Sequence, residues 1–276
     1  MHNQLFLRTM VVVLLIICLA RPQTKMSSEK VSTEGIDIVM ALDISSSMLA
    51  QDFLPNRLEA ASKVATEFIN GRPNDRVGLV VFAGESFTQC PLTTDHKVVL
   101  DALEQLESGL IEDGTAIGMG LATAADRLKD SDSKSKVVIL LTDGENNQGI
   151  IDPKTAAEIA ASLNIRVYTI GVGTDGLAPY PITDPFGRTR LQKVKVAIDE
   201  ELLEYIANLT GVSYYRATDE RKLKDIFKEI DKLEKTRIEV ASFTRYSEKF
   251  LPFALAAFLL LVFEQLLNLL IIKRLP

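Results

Sequence analysis

Short apolar runs recur along residues 35–236 and predict the strands of a sheet. These runs are apolar at nearly every position, which is typical of strands in a parallel sheet covered on both faces. They cover residues 36–42, 77–82, 137–141 and 165–172. Residues 212–216 predict a final strand, and residues 88–92 predict a short edge strand because Pro91 cannot donate a hydrogen bond within a central one.

Segments with an apolar residue every three or four positions separate the strands and predict helices. They cover residues 55–70, 95–106, 115–128, 153–163, 199–209 and 219–235. The alternation predicts an α/β fold with a doubly wound, mostly parallel central sheet and helices on both faces. Residues 173–195 interrupt this alternation of strands and helices. They contain three prolines and Gly187, which predict an exposed loop or hairpin.

Two apolar segments flank the domain predicted at residues 35–236. Residues 5–21 and 250–272 predict a transmembrane helix at each end, because a helix of about 20 apolar residues can cross a bilayer. For the first segment, a signal peptide that is cleaved after Ala20 is the alternative. Glu264 interrupts the second segment, which predicts either a position near the headgroups or a contact with a partner membrane protein.

Basic residues near these segments predict the orientation of the chain. Arg8 precedes the first segment, and Lys273 and Arg274 follow the second. Because positive charges favour the cytoplasmic side, both termini are predicted inside and the domain on the outer face of the membrane. Arg21 and Lys249 on the domain side of the segments oppose this assignment.

Composition narrows the class of partner. The chain has 276 residues, of which 47% are apolar and 25% charged, as is typical of a globular protein. Its net charge of -6 argues against nucleic acid as a partner, because phosphate binding needs a basic face. The two cysteines, Cys18 and Cys90, lie in different segments and predict no disulfide framework.

Oxygen-bearing side chains follow two of the predicted strands, and a third group opens a predicted helix. The candidate metal ligands are Asp43, Ser45, Ser47, Thr115 and Asp143. In doubly wound sheets, ligands bind beyond the carboxyl ends of the strands, so we expect these side chains to lie together. Two carboxylates and three hydroxyls without a soft ligand favour Mg²⁺, with Mn²⁺ or Ca²⁺ as alternatives.

Neighbouring polar residues have simpler interpretations. Ser46 is interpreted as a turn residue. Glu112 and Asp113 are interpreted as solvated or helix N-terminal charges. Glu145 and Asn146 belong to the loop that follows Asp143, where they could line the rim of the site.

A metal held mainly by neutral hydroxyls stays electrophilic and can accept a carboxylate from another protein. The pattern therefore predicts a protein-binding site and not an enzyme. An aspartyl phosphotransferase using Asp43 is one alternative, but it requires a second carboxylate where Ser45 stands. A serine hydrolase would depend on His96 and lacks a Gly-x-Ser-x-Gly motif. A structural membrane scaffold without a functional metal site is a third alternative.

The motifs "DISSSM", "DGTAIG" and "LTDGENN" occur in an order that resembles von Willebrand factor type A (VWA) domains, over roughly residues 35–235. Asp43, Ser45, Ser47, Thr115 and Asp143 match the five positions of that family's metal-ion-dependent adhesion site. The stretches "RVGLVVFAGESFTQCPLTTD" and "ICLARPQ" resemble the membrane-bound Bat (aerotolerance) proteins of bacteria.

The resemblance implies a location and partners that the residues themselves do not indicate. It implies the bacterial inner membrane and a role in a multi-protein membrane complex of the aerotolerance type, while the periplasmic face for the domain follows from the charge pattern. It also implies a second VWA membrane protein and a MoxR-type ATPase as partners.

Overall fold

The computed structural model describes residues 2–26, 35–174, 176–183, 189–239 and 245–272. Its helices are α1 (His2–Leu19), α2 (Arg57–Asn70), α3 (His96–Glu104), α4 (Ile117–Leu128), α5 (Pro153–Ser162), α6 (Glu200–Leu209), α7 (Glu220–Glu239) and α8 (Leu251–Ile272). Its strands are β1 (Gln23–Met26), β2 (Asp37–Asp43), β3 (Arg76–Phe82), β4 (Ser86–Thr93), β5 (Lys136–Thr142), β6 (Ile165–Val172), β7 (Leu177–Thr183), β8 (Thr189–Lys195), β9 (Tyr214–Ala217) and β10 (Arg245–Glu248). The chain divides into two units, which are Thr33–Arg237 and the two ends, Met1–Ser32 with Ile238–Pro276.

The larger unit is built on a six-stranded sheet with the order β4-β3-β2-β5-β6-β9. Neighbouring strands are parallel except that β4 pairs antiparallel with β3 at one edge. Every residue of β2 is buried, as the apolar run predicts for a central strand covered on both faces. The mostly parallel sheet and the edge strand containing Pro91 are therefore confirmed.

Helices cover both faces of this sheet. Helices α4, α5 and α6 pack with β2, β3, β5 and β6 in one apolar cluster, which includes Val167 of β6. On the other face, Phe68 of α2 contacts Phe227 of α7, with 5.0 Å between the ring centroids. Tyr168, the residue after Val167, donates a hydrogen bond to Glu234 of α7 over 2.6 Å. Successive residues of β6 thus contact helices on opposite faces of the sheet.

Helix α4 packs very close to the loop that follows β5. A Cβ atom on Gly118 would lie 2.0 Å from the carbonyl oxygen of Ile151, so only glycine fits at this position. The contact holds the start of α4 next to the carboxyl end of β5. It thereby brings Thr115, just before α4, to the edge of the sheet where Asp43 and Asp143 lie.

The interruption predicted at residues 173–195 is a β-hairpin. Strands β7 and β8 pair antiparallel, from Leu177 opposite Lys195 to Thr183 opposite Thr189. The hairpin contains Pro179 and Pro181, and it forms a separate two-stranded sheet. Pro185 and Gly187, which contributed to the prediction, lie outside the described residues.

The smaller unit brings the two ends of the chain together. Helix α1 contacts α8, and β1 pairs antiparallel with β10. Arg8 Nε donates a hydrogen bond to Glu264 Oε1 over 2.7 Å, and the Glu264 side chain is almost completely buried. Glu264 thus pairs with an arginine of the same chain, and its predicted position near the headgroups or against a partner protein stays a prediction.

Within the described part of the chain, no helix combines the length and the apolarity needed to cross a membrane. The predicted transmembrane helices at 5–21 and 250–272 are therefore not supported, although helices occupy most of both segments. Lys273 and Arg274, on which the orientation depended, lie outside the described residues.

Candidate metal site

The candidate site lies where β2 and β5 end side by side. Leu42 pairs with Leu141 in parallel register, so Asp43 and Asp143 follow at neighbouring strand ends. After Asp43 the chain turns at once into a short 3₁₀ helix, Ser46–Leu49. The turn is stabilised by Asp43 Oδ1, which accepts a hydrogen bond from the Ser45 backbone N–H over 2.9 Å.

Hydrogen bonds connect the predicted ligands. Ser47 Oγ donates to Asp143 Oδ1 over 2.6 Å. The Ser45 and Ser47 hydroxyl oxygens are 2.9 Å apart. Because the Ser47 hydroxyl donates its only proton to Asp143, the Ser45 hydroxyl is the donor in the bond between the two serines. Asp43 Oδ2 accepts from Thr142 Oγ1 over 2.6 Å, so the Thr142 side chain also belongs to this network.

Thr115 joins the site from a different loop. It lines the same cavity as Ser47 and Asp143, and a Cβ atom on Gly144 would lie 3.2 Å from its hydroxyl oxygen. The Asn147 side chain accepts a hydrogen bond from the Thr115 N–H over 2.9 Å. The structure thus brings all five predicted residues to one edge of the sheet.

Burial of the two carboxyl groups dominates the electrostatics. Burial, together with repulsion from Asp143, raises the pKa of Asp43 from 3.8 to about 7, although hydrogen bonds from Ser45 and Thr142 oppose the shift. Burial also raises the pKa of Asp143, against the opposing effects of Arg57 and Ser47. A cation bound between these groups would favour their ionised forms.

A buried arginine, which the sequence did not reveal as part of the site, already neutralises one carboxylate. Arg57 Nη1 lies 2.6 Å from Asp143 Oδ2. Its Nε and Nη2 atoms form a bidentate pair with Asp52, over 2.7 and 2.6 Å. Asp52 Oδ2 also accepts from the backbone N–H of Thr174, just after β6, over 2.8 Å. Arg57 therefore connects the ends of β5 and β6 to the loop after β2.

Asp113 has a role that its interpretation as a solvated charge missed. Its carboxylate accepts hydrogen bonds from the backbone N–H of Ser46 over 2.9 Å and from the Ser46 hydroxyl over 2.7 Å. These bonds lower the pKa of Asp113. Asp113 therefore fixes the turn between Ser45 and Ser47 while its side chain stays exposed. Ser46 is a turn residue, as interpreted.

The site opens into a cavity of about 470 Å³. Its polar side is formed by Ser46, Ser47, Arg57, Thr115 and Asp143. The β7–β8 hairpin and the residues that follow it line another side, with Ala178, Tyr180, Ile182, Val194, Lys195, Val196 and Ala197. Three of the predicted ligands, Ser47, Thr115 and Asp143, therefore face a space that is open to another molecule, whereas Asp43 and Ser45 are buried behind them.

The donor set fits a hard divalent cation. In the part of the chain that the structure describes, no three His, Cys, Asp or Glu side chains cluster as a metal site. A cation here would be held by two carboxylates and three hydroxyls, which are the oxygen donors that Mg²⁺ and Ca²⁺ prefer. The Ser45 hydroxyl already contacts the Ser47 hydroxyl, which in turn donates to Asp143.

Comparison with models of protein families shows to which family the chain belongs. The model of the von Willebrand factor type A domain matches residues 37–229. The chain belongs to the VWA domain family. The match extends from β2 into α7, so it covers the whole six-stranded sheet and all five candidate ligands.

Two solved structures and one further relative are similar to this chain, and the structures support a resemblance to one group within the VWA family. A crystal structure of an aerotolerance-related membrane protein from Bacteroides fragilis is 34% identical, with a TM-score of 0.61, and the match covers 72% of this chain and 100% of that one. BatB from Bacteroides thetaiotaomicron is also 34% identical, with a TM-score of 0.64, over 73% and 100%. An uncharacterised protein of Borreliella burgdorferi is 29% identical over 95% of this chain and 76% of its own. The resemblance of this VWA chain to Bat proteins is confirmed.

Replacing Arg57 with methionine should destabilise the VWA domain by about 3–5 kcal/mol, because it leaves two buried carboxylates without their cation. Chemical denaturation followed by circular dichroism measures the change. Lys63→Met is the matched control: Lys63 pairs with Glu220 over 2.7 Å, but its side chain is 63% exposed. We expect the control to leave stability nearly unchanged. An equal effect of the two substitutions would show that Arg57 does not compensate Asp52 and Asp143.

Proposed function

We propose that this VWA domain binds a divalent metal ion and, through it, a carboxylate of a protein partner. Asp43, Ser45, Ser47, Thr115 and Asp143 would hold the metal. The observation that carries the proposal is the convergence of two buried carboxylates and three hydroxyls at one edge of the sheet, where Ser47, Thr115 and Asp143 line an open cavity. Mg²⁺ is the ion that we expect, with Mn²⁺ and Ca²⁺ as alternatives, because the donors are oxygen atoms.

The balance of charge supports an external carboxylate as the last ligand. Arg57 already pairs with Asp143, so the protein does not present the full charge of its carboxylates to a metal. When bound, the metal would supply an electrophilic coordination position that an incoming carboxylate can complete. Hydroxyl ligands add no negative charge, so the attraction for an acidic partner is retained.

The rim of the site suits contact with a protein. Large apolar side chains are exposed in three loops that precede or follow the site residues in the chain: Leu54 after β2, Leu110 before Thr115, and Ile150 after β5. Exposed apolar residues in such loops are typical of surfaces where proteins associate. A structural scaffold without a functional metal site would not need the buried charge at its centre.

We propose that the chain is a binding module and not an enzyme. The His96 ring lies 2.8 Å from the carbonyl oxygen of Asp75, the residue before β3. Asp43 pairs with Phe82 at the other end of that strand. The two ends of a strand of this length are about 20 Å apart, so His96 does not reach the serines of the site as a general base.

We also propose that the chain is associated with the bacterial inner membrane. One similar structure is described as an aerotolerance-related membrane protein. Both α1 and α8 expose large apolar side chains, among them Ile16, Phe258 and Leu259. The periplasmic position of the domain stays a prediction from the distribution of positive charges. A second VWA protein and a MoxR-type ATPase as partners, and an aerotolerance-type role, stay predictions that rest on the resemblance to Bat proteins.

The metal site is tested by calorimetric titration of the purified full chain with Mg²⁺, Mn²⁺ and Ca²⁺. We expect saturable binding of at least one ion, and a loss of at least about tenfold in affinity in Asp43→Ala. Asp126→Ala, which removes a partly exposed carboxylate on α4, is the control and should bind normally. Circular dichroism verifies that both variants fold. A folded wild-type chain that binds none of the ions would refute the metal site.

Metal affinity should rise with pH. The pKa of Asp43 is about 7 in the metal-free fold and 3.8 ordinarily. The native state therefore binds more protons than the unfolded state between these values. Without metal, the Asp43 contribution to stability falls as pH rises through this window and is constant above it.

Metal must displace the proton from Asp43, so the Mg²⁺-induced increase in melting temperature should grow between about pH 6 and pH 8. Asp43→Asn should flatten the metal-free profile, and an unchanged profile would contradict the assignment.

Membrane association is tested by alkaline extraction of cell membranes. We expect the full chain to stay with the membrane fraction and to be released only by detergent. A variant with Phe258→Lys and Leu259→Lys should be extracted more readily, because lysine disfavours the apolar phase. Lys63→Glu in the VWA domain is the control. Equal release of all three forms would argue against a role for α8.

A further inference from the structure

We propose that the β7–β8 hairpin is a specificity wall that recognises a bulky apolar side chain next to the partner's metal-binding carboxylate. The proposal rests on the proposed function, and it adds the chemistry of the partner to it. The occupant of the cavity would be a protein segment in which Asp or Glu is adjacent to a residue such as leucine.

The cavity has two chemically different sides. Ser47, Thr115, Asp143 and Arg57 make one side polar. The hairpin contributes Tyr180, Ile182 and Val194 to another side. At about 470 Å³, the cavity is large enough for several side chains and not only for a carboxylate. An acidic residue alone would leave the apolar side uncovered.

The register of the hairpin separates its two faces. Directly opposed residues of an antiparallel pair lie on the same face. Ala178 is paired with Val194, and Ile182 follows four positions later on the same face. All three line the cavity. The opposite face carries Leu177 and Leu191, neither of which lines the cavity.

The inner face is an incomplete apolar surface. Ala178 is buried, but Ile182 and Val194 remain 40% and 42% exposed. Removing apolar surface of this kind from water favours association. A partner side chain that covers Ile182 and Val194 would complete the packing that Ala178 begins.

Hydrogen bonds fix the wall relative to the metal ligands. The backbone N–H of Gln51, in the loop after Ser47, donates to the Pro179 carbonyl oxygen over 2.8 Å. At the base of the hairpin, the Thr174 N–H donates to Asp52, which is paired with Arg57. The distance between metal and wall is therefore set by the fold, as required for recognition of two adjacent side chains.

Positive charge at the cavity favours a partner segment that is acidic. Lys195 ends β8 and lines the cavity. Arg57 is already paired with Asp52 and Asp143, and Glu145 also lines the cavity. A bound dication, together with Lys195, would therefore be the group that attracts a carboxylate of the partner.

Three blocked peptides test the proposal on the full chain loaded with Mn²⁺: acetyl-Leu-Glu-Leu-amide, acetyl-Gly-Glu-Gly-amide and acetyl-Leu-Gln-Leu-amide. Binding near Mn²⁺ broadens the proton signals of the peptide, and chelation of the metal abolishes the effect. We expect Leu-Glu-Leu to bind at least about tenfold more tightly than Gly-Glu-Gly. Leu-Gln-Leu should bind weakly, because it lacks the carboxylate.

Matched variants assign the preference to the wall. Ile182→Ser with Val194→Ser should remove the advantage of Leu-Glu-Leu while Gly-Glu-Gly and Mn²⁺ bind as before. Leu177→Ser with Leu191→Ser, on the outer face, should keep the advantage, although both residues are more exposed. Loss of the advantage in both pairs would overturn the assignment to the inner face.

The outcomes separate this proposal from the proposed function. Metal-dependent binding of Leu-Glu-Leu and Gly-Glu-Gly with equal affinity would overturn the specificity wall and support the metal-dependent carboxylate site. Absence of metal-dependent binding by either glutamate peptide would overturn both proposals. Metal-dependent binding of Leu-Gln-Leu as tight as that of Leu-Glu-Leu would also overturn both, because the carboxylate would have no role.

Discussion

The carboxyl groups of Asp43 and Asp143 are buried at the ends of neighbouring parallel strands, and the rest of the site depends on how their charge is compensated. The parallel pairing of β2 and β5 brings these ends together. Burial and the proximity of Asp143 raise the pKa of Asp43 to about 7. Buried charge is tolerated only with partners, and the surrounding hydroxyls and guanidinium are those partners.

Asp143 divides its two oxygen atoms between partners of different kinds. Oδ2 pairs with the fixed cation Arg57, whereas Oδ1 accepts the proton of Ser47. The first contact holds the carboxylate in place, and the second leaves it facing the hydroxyls where a metal would bind. The same arginine, through Asp52, ties the loop after β2 to the base of the hairpin. Metal ligands and hairpin thus form one connected structure.

The sequence predicted the central strands and the five candidate ligands because both signals are local. An apolar run marks a buried strand, and the polar residues follow it directly. Arg57 was missed because its partner Asp143 lies 86 residues away and no local pattern connects them. The hairpin was predicted only as an alternative to a loop, and its strands were not located, since β8 is exposed throughout and has no apolar run. Helix α4 starts at Ile117 and not at residue 115 because the Thr115 carbonyl accepts hydrogen bonds from Asn147 and Gln148.

The pairing of the chain ends makes the VWA domain a closed loop. Gln23 of β1 lies opposite Glu248 of β10, and α1 packs on α8. While these contacts persist, an unfolded domain still has its two ends held together, so it explores fewer conformations than a free chain of the same length. Unfolding then gains less entropy in the intact protein than in an isolated fragment. The pairing of the chain ends therefore stabilises the domain through the entropy of its unfolded state.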